Sequence, residues 1–311
     1  PMPENNIQQA ELPEGCTVFD NPVGTAPGCA FEAGGVHVLM LPGPPHECET
    51  MLRRCVEPYL RALSKEVIVS RDIMTFGMGE SSVDQLLHDR MAHMVNPSLA
   101  TYAKPCEVRL RATAKAASQA EAEAMLAPVV AEVRSTLGDV VYGVDVKDLA
   151  EVCFHLLKER DLTLATAESC TGGRVAERIT ALPGVSSVYR GGVVSYWTSV
   201  KADVLGVPQK ILDQYGAVSE ETARAMAEGA RRITGADIGV SVTGVAGPDR
   251  DERDNPVGLV YIGLATPDGT FCRRTDSGRR RRDRIQDLAA NHALDVVRRY
   301  LTGLPIEQGR T

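Results

Sequence analysis

Three short runs in the second half of the chain bring hydroxyls, glycines and a lysine to the ends of strand-like segments. The first is Ala167-Glu168-Ser169-Cys170-Thr171-Gly172-Gly173, set between a strand at 163–166 and a helix from Gly172 to Ile179. Ser169 and Thr171 would lie where a helix leaves N–H groups without intrahelical partners, a place that favours a developing oxyanion or a phosphate. Gly172 and Gly173 allow a ligand close to the backbone. A helix cap with a tight turn would use the same residues. The second run, Val194-Ser195-Tyr196, ends another strand, and Lys201 follows about one helical turn on. A serine is a weak nucleophile until a base takes its proton, and a lysine is that base only when burial or neighbours depress its pKa. Alone, a lysine at a strand end is a solvated charge, so its meaning depends on its company. The third run, Ser241 to Pro248, carries Thr243 and Gly244. In open α/β sheets ligands collect at the carboxyl ends of strands, and three such ends agree here.

The elements that must position these runs alternate. After a helix at 147–160, the pattern reads strand 163–166, helix 172–179, strand 191–197, helices 199–204 and 220–233, strands 238–243, 258–266 and 271–275, and helix 284–301. Alternation of this kind gives an α/β layered fold. Pro267-Asp268-Gly269 reads as a hairpin between the last two strands, so the sheet is expected to be mixed. Two earlier segments precede it. Residues 1–63 contain a Gly/Pro loop (Asn21 to Gly28), a strand at 36–41, the run Pro42-Gly43-Pro44-Pro45, and a helix from about His46 to Leu63 with Met51, Leu52, Cys55 and Leu60 as its apolar face. Residues 64–146 read as a small mixed α/β domain: strand 66–74, helix 83–91, an alternating strand at 107–114 and an alanine- and glutamate-rich helix at 118–137. Three domains are therefore expected, at 1–63, 64–146 and 147–311.

Bulk properties narrow the function. The chain has 311 residues, a formal net charge of -7 and 5% aromatic residues. That balance argues against nucleic acid as the main partner, because binding the phosphate backbone needs clustered cations. One local exception is Arg279 to Arg282, a short run without interleaved aromatics on an acidic chain. No apolar stretch reaches the ~20 residues of a membrane span, and no signal sequence opens the chain, so a cytoplasmic location is expected. The eight cysteines are scattered without CxxC or zinc-ligand spacing and read as free thiols. Pro1 ahead of Met2 leads to the expectation that a further amino-terminal portion exists and that the first domain is incomplete.

Four ordered motifs carry a resemblance to a family. AESCTGG (167–173), GAVSE (216–220), TGVAGP (243–248) and PVG (256–258) resemble the carboxy-terminal domain of the CinA family, whose members include nicotinamide-nucleotide amidases. NPVGTAPG and LPGPPHE resemble the end of that family's molybdopterin-cofactor-binding-like domain, and FGMGESS and NPSLATYAK its KH-type middle domain. The resemblance implies a serine–lysine dyad of Ser169 and Lys201, helped by Tyr196, that hydrolyses the carboxamide of nicotinamide mononucleotide. It implies oxyanion or substrate contacts from Thr171, Gly172, Gly173, Thr243 and Gly244, and places Arg282 on the arginine of a Gly-Asp-Arg element as the phosphate anchor. No metal or other cofactor is expected for this reaction; a divalent metal belongs only to an intact first domain, which in some relatives hydrolyses ADP-ribose. A homodimer is also implied. The rivals are a non-catalytic nucleotide-binding protein tied to competence or DNA damage, and ADP-ribose hydrolysis in the first domain.

The chain departs from that family at several places. Thr198 and Ser199 stand where relatives have Asn and Glu, Arg250, Asp251 and Asn255 replace a Gly-Gly pair and a lysine, and extra arginines interrupt the Gly-Asp-Arg element. Other chemistry-bearing residues weigh less. His46 and Glu47 read as helix capping, His88 and His93 fall on different helix faces, and Cys170 has no histidine near it to make a thiolate.

Overall fold

The computed structural model describes residues 8–9 and 11–306, and the chain divides into two compact units. One holds residues up to 69 together with 114–125; the other holds 70–113 and the chain from 126 onward.

In the first unit, β1 (Thr17–Phe19), β2 (Gly28–Ala33) and β3 (Val36–Met40) form an antiparallel sheet in that order. Gly34 and Gly35, with φ of 61° and 77°, make the left-handed two-residue turn that matches the twist of a β2–β3 hairpin. The helical stretch expected over 46–63 is split: α1 (Pro45–Met51) passes through a π-helical turn at Leu52–Val56 into α2 (Glu57–Leu63). Pro58 lacks the N–H that would continue the regular ladder, and the wider turn absorbs the fault. The extra residue per turn also rotates the apolar face. Met51 and Val56 are buried against Phe19 and Ala30, whereas Leu52 and Leu60, expected to face the core, are exposed.

Two further sheets follow along the chain. One is built from β4 (Val67–Thr75), β5 (Ser98–Lys104), β6 (Glu107–Ala116) and β7 (Val141–Val144) in the order β5-β6-β4-β7, with α3 (Glu80–His93) and α4 (Gln119–Leu137) beside them in sequence. Strand β6 buries every second residue from Val108 to Ala116, the alternation its sequence predicts.

The other sheet carries the three chemical runs. Its strands are β8 (Leu164–Glu168), β9 (Tyr189–Val194), β10 (Ile238–Gly244), β11 (Leu259–Thr266) and β12 (Gly269–Asp276), ordered β12-β11-β10-β8-β9. Strands β9, β8 and β10 run parallel, while β10, β11 and β12 are antiparallel, so the sheet is mixed as the hairpin signal implied. All five residues of β8 are buried, and they alternate between layers. Leu164 packs with α5 (Leu149–Glu159), α6 (Arg174–Thr180) and α10 (Arg282–Leu301); Ala165 and Ala167 pack with α8 (Gln209–Tyr215) and α9 (Glu220–Thr234). A short helix, α7 (Thr198–Asp203), follows β9. This is a three-layer α/β/α arrangement.

Residues 70–113 and 126–146 share their compact unit with the carboxy-terminal layers. Phe76 and Tyr142 join the core cluster of α5 and α10, and Arg298 donates to the Asp139 carbonyl at 2.9 Å.

Candidate active site

The carboxyl ends of β8, β9 and β10 converge, and the parallel pairing sets their relation. Glu168, the last residue of β8, is opposite Val194, the last of β9, and Val242 on β10, which runs on two residues to Gly244. Ser169 is the first residue beyond β8; its N–H donates to the Val242 carbonyl at 2.9 Å, which fixes it at the rim. The loop then turns through Gly172 (φ 62°) and Gly173 (φ 99°), values at which a side chain would be strained, before α6 begins at Arg174. The helix thus starts two residues later than the sequence pattern predicts.

Lys201 lies on α7 and is 1% exposed. Its ammonium nitrogen is 3.0 Å from Ser169 Oγ, and its second contact is the Ser195 carbonyl. Burial pulls its pKa from 10.5 down to about 8, with only a small opposing influence from Cys170. No carboxylate bonds to it among the described residues, and that is what lets desolvation prevail. The two contacts also orient the amine: when neutral, it donates to the Ser195 carbonyl and keeps its lone pair for the Ser169 hydroxyl. Ser169 is half-buried and so open to a substrate.

Glu168 is a functional side chain that sequence reasoning passed over. It is 1% exposed, and its carboxylate accepts from the amides of Gly173 (2.9 Å), Val175 (3.1 Å) and Ala176 (2.8 Å). The helix cap therefore comes from the residue before the nucleophile loop, reaching over it, and not from Ser169 or Thr171. A carboxylate on helix N-terminal amides is favoured by both hydrogen bonding and the helix dipole. The available signal was an acid just ahead of a glycine pair and a helix, but its offset fits no local capping pattern.

The other expected residues are placed as follows. Thr171 is 1% exposed, and its hydroxyl has no hydrogen-bond partner among the described residues. Thr243 spends its hydroxyl on the Ala217 carbonyl at 2.6 Å, tying the GAVSE loop to the end of β10. That loop is held further by Ser219, which caps α9 through the Thr222 amide at 3.2 Å, and by Thr222 Oγ1 on the Gly216 carbonyl at 2.6 Å. Gly244 is needed for packing: a Cβ there would come within 2.6 Å of the Leu259 carbonyl oxygen. Tyr196 is 53% exposed, and its hydroxyl accepts from Arg282, which also donates to the Gly247 carbonyl at 2.5 Å. No described hydrogen bond joins Tyr196 to Ser169 or Lys201; the tyrosine and arginine form a pair on the rim. Arg280 and Arg281 make local contacts with Ser277 and Asp283.

Further groups brace the loop. Gln286 on α10 donates to the Cys170 carbonyl at 2.8 Å and accepts from Arg174 at 3.1 Å. The Cys170 thiol, 4% exposed, is pushed up to about 12 by burial and stays protonated. At the sites of departure, Asp251 accepts from the Asn255 amide (2.8 Å) and side chain (2.8 Å), so the segment before PVG is braced by its own residues. Among the described residues no group of three or more His, Cys, Asp or Glu side chains could hold a metal, and no helix is long and apolar enough to cross a membrane.

Comparison with known proteins adds the lineage. The family model described as CinA C-terminal domain matches residues 146–301, and that described as Damage-inducible protein CinA KH domain matches 70–143. A CinA-like protein of Kosmotoga olearia is 44% identical over 303 residues, 97% of this chain and 73% of the relative. One from Desulfovibrio desulfuricans is 45% identical over 312 residues, 99% of this chain and 73% of the relative. Among solved structures, the competence/damage inducible protein CihA from Agrobacterium tumefaciens is 35% identical, covering 50% of this chain and 93% of that one with a TM-score of 0.48.

Proposed function

Because this chain belongs to the CinA family, we propose that residues 147–311 form a serine amidohydrolase that converts nicotinamide mononucleotide and water into nicotinic acid mononucleotide and ammonia. The observation that carries this reading is the 3.0 Å contact between Ser169 Oγ and a buried lysine whose pKa is lowered to about 8. A group titrating there is neutral in a useful fraction of molecules near neutral pH, and a base works best when its pKa is close to the working pH.

In the proposed reaction, neutral Lys201 takes the Ser169 proton as Oγ attacks the carboxamide carbon. The resulting ammonium gives its proton to the departing nitrogen, and ammonia leaves. Lysine, neutral again, then deprotonates a water that attacks the ester carbon and frees the acid. Ser195 holds the amine in line throughout by its carbonyl. The reaction calls on no metal. Arg282 and Tyr196, already paired at the rim, stand as the phosphate contacts, reorganising toward the anion when it enters. The three-domain division, a cytoplasmic location and a homodimer belong to the same proposal.

The test is ammonia release from nicotinamide mononucleotide by the full chain. Ser169→Ala and Lys201→Ala should each lower kcat by at least about a thousandfold, as loss of a nucleophile or its base does elsewhere. Equal turnover by either variant and the native chain would remove the reading.

A further inference from the structure

We infer that Glu168 is the positioning residue of this site, and that by occupying the first amides of α6 it leaves the oxyanion to the N–H groups of Cys170 and Thr171. This rests on the Ser169–Lys201 reading and deepens it.

Most amides around the Ser169 loop already have acceptors within the protein. Ser169 donates to Val242, Gly172 to the Ser169 carbonyl at 3.1 Å, and Arg174 to the Thr171 carbonyl at 3.3 Å. Gly173, Val175 and Ala176 donate to the Glu168 carboxylate. From 169 to 176, the amides of Cys170 and Thr171 are the ones without an oxygen acceptor among the described residues, that of Cys170 lying only against its own thiol. The start of α6 thus offers nothing to a substrate, although its glycines and position suggest otherwise. The N–H of the residue after a nucleophilic serine is a recurring oxyanion donor, and Cys170 holds that position here with Thr171 beside it. The buried, unpartnered Thr171 hydroxyl adds a third donor in the same two residues. Unpaired buried donors are costly in a resting fold, and an incoming oxygen would satisfy them.

Glu168 also reaches the base. Its own carbonyl accepts from the Ser195 amide at 2.8 Å and the Ser195 hydroxyl at 3.4 Å, and the carbonyl of Ser195 in turn accepts from Lys201. One residue therefore shapes the nucleophile loop with its side chain and the lysine's support with its backbone. Replacing the carboxylate disturbs the first function and spares the second.

The experiment uses the full chain, with Glu168→Gln and, as a second variant, Thr171→Val with Thr171→Ser as its rescue. Glutamine keeps the size but turns an NH2 group toward amides that can only donate, so at least one cap bond is lost. Donors used in the transition state affect kcat and spare KM. Glu168→Gln and Thr171→Val should each lower kcat by roughly ten- to a thousandfold with KM within about threefold, and Thr171→Ser should recover most of the loss. A purely structural role would lower the melting temperature and leave the kcat of folded protein unchanged, and that result overturns the inference. A readout independent of the substrate is inactivation by phenylmethylsulfonyl fluoride, in which Ser169 Oγ displaces fluoride from sulfur and its proton passes to Lys201. Labelling of Ser169, located by mass spectrometry, should slow at least tenfold in both variants even if nicotinamide mononucleotide proves not to be the substrate. Labelling at the native rate, or none in the native chain, overturns the inference.

Discussion

Two buried cation sites in the same unit behave in opposite ways. At the sheet rim, Lys201 is 1% exposed and, among the described residues, bonds to a hydroxyl and a carbonyl. Beneath β12 and along α10, Arg273 and Arg298 are 4% and 3% exposed, and both bond to Asp295, which is wholly buried, at 2.8 Å and 2.7 Å. Desolvation lowers the pKa of Arg273 as it does that of Lys201, but Asp295 opposes the shift and an arginine has no neutral form in reach. A buried cation with a counter-ion is held charged; one without is shifted toward its neutral form.

The largest effect that breaks this comparison is expected at the paired site. Asp295→Asn leaves two guanidinium groups buried against a neutral side chain, and removing one partner of such a cluster costs about 3–5 kcal/mol. Urea unfolding should record that loss, while kcat of the folded protein stays within about threefold, because Asp295 touches no group of the rim. A kcat that collapses with stability intact would mean the two sites are coupled.

The next effect sharpens the unpaired site. Lys201 must be neutral to accept a proton, and its folded pKa is lowered to about 8, so kcat/KM should rise about tenfold per pH unit below that value and level off above it. The same shift acts on stability. From about pH 8 to 10.5 the unfolded lysine holds more proton than the folded one, so stability rises with pH across that window and the penalty for burying the charge is largest below it. A pH-rate profile that is flat between 6 and 9 would exclude Lys201 as the base.

The smallest effect concerns the neighbour of the nucleophile. The Cys170 thiol, raised to about 12, carries almost no thiolate at neutral pH. Cys170→Ala should change kcat by less than about threefold, since a thiol that stays protonated takes no part in the proposed reaction. Loss of activity to the level of Ser169→Ala would reassign the nucleophile.

The sequence alone determined what could be read locally. The alternation of strand and helix fixed the layers, the hairpin turn at 267–269 fixed the mixed sheet, and the repeated arrival of hydroxyls and glycines at strand ends marked the rim. Long, strongly patterned elements such as α9 and α10 were legible, whereas β1, β2, β5, β7 and α8 were not, being short or rich in Ala, Gly and Thr, so that pairing rather than propensity forms them. The π-helical turn before Pro58 escaped because its cost is absorbed by neighbours.

Only the tertiary structure decided the chemistry of the rim. That Lys201 is buried beside Ser169 follows from β8 and β9 ending level in the sheet, across 32 residues of sequence. That Thr243 serves the GAVSE loop and that Tyr196 turns to Arg282 are contacts between segments distant in sequence, and that Glu168 caps α6 depends on how the loop between them folds back. Residue types set which protons could move; desolvation and hydrogen-bond geometry, properties of the packed whole, set which of them would.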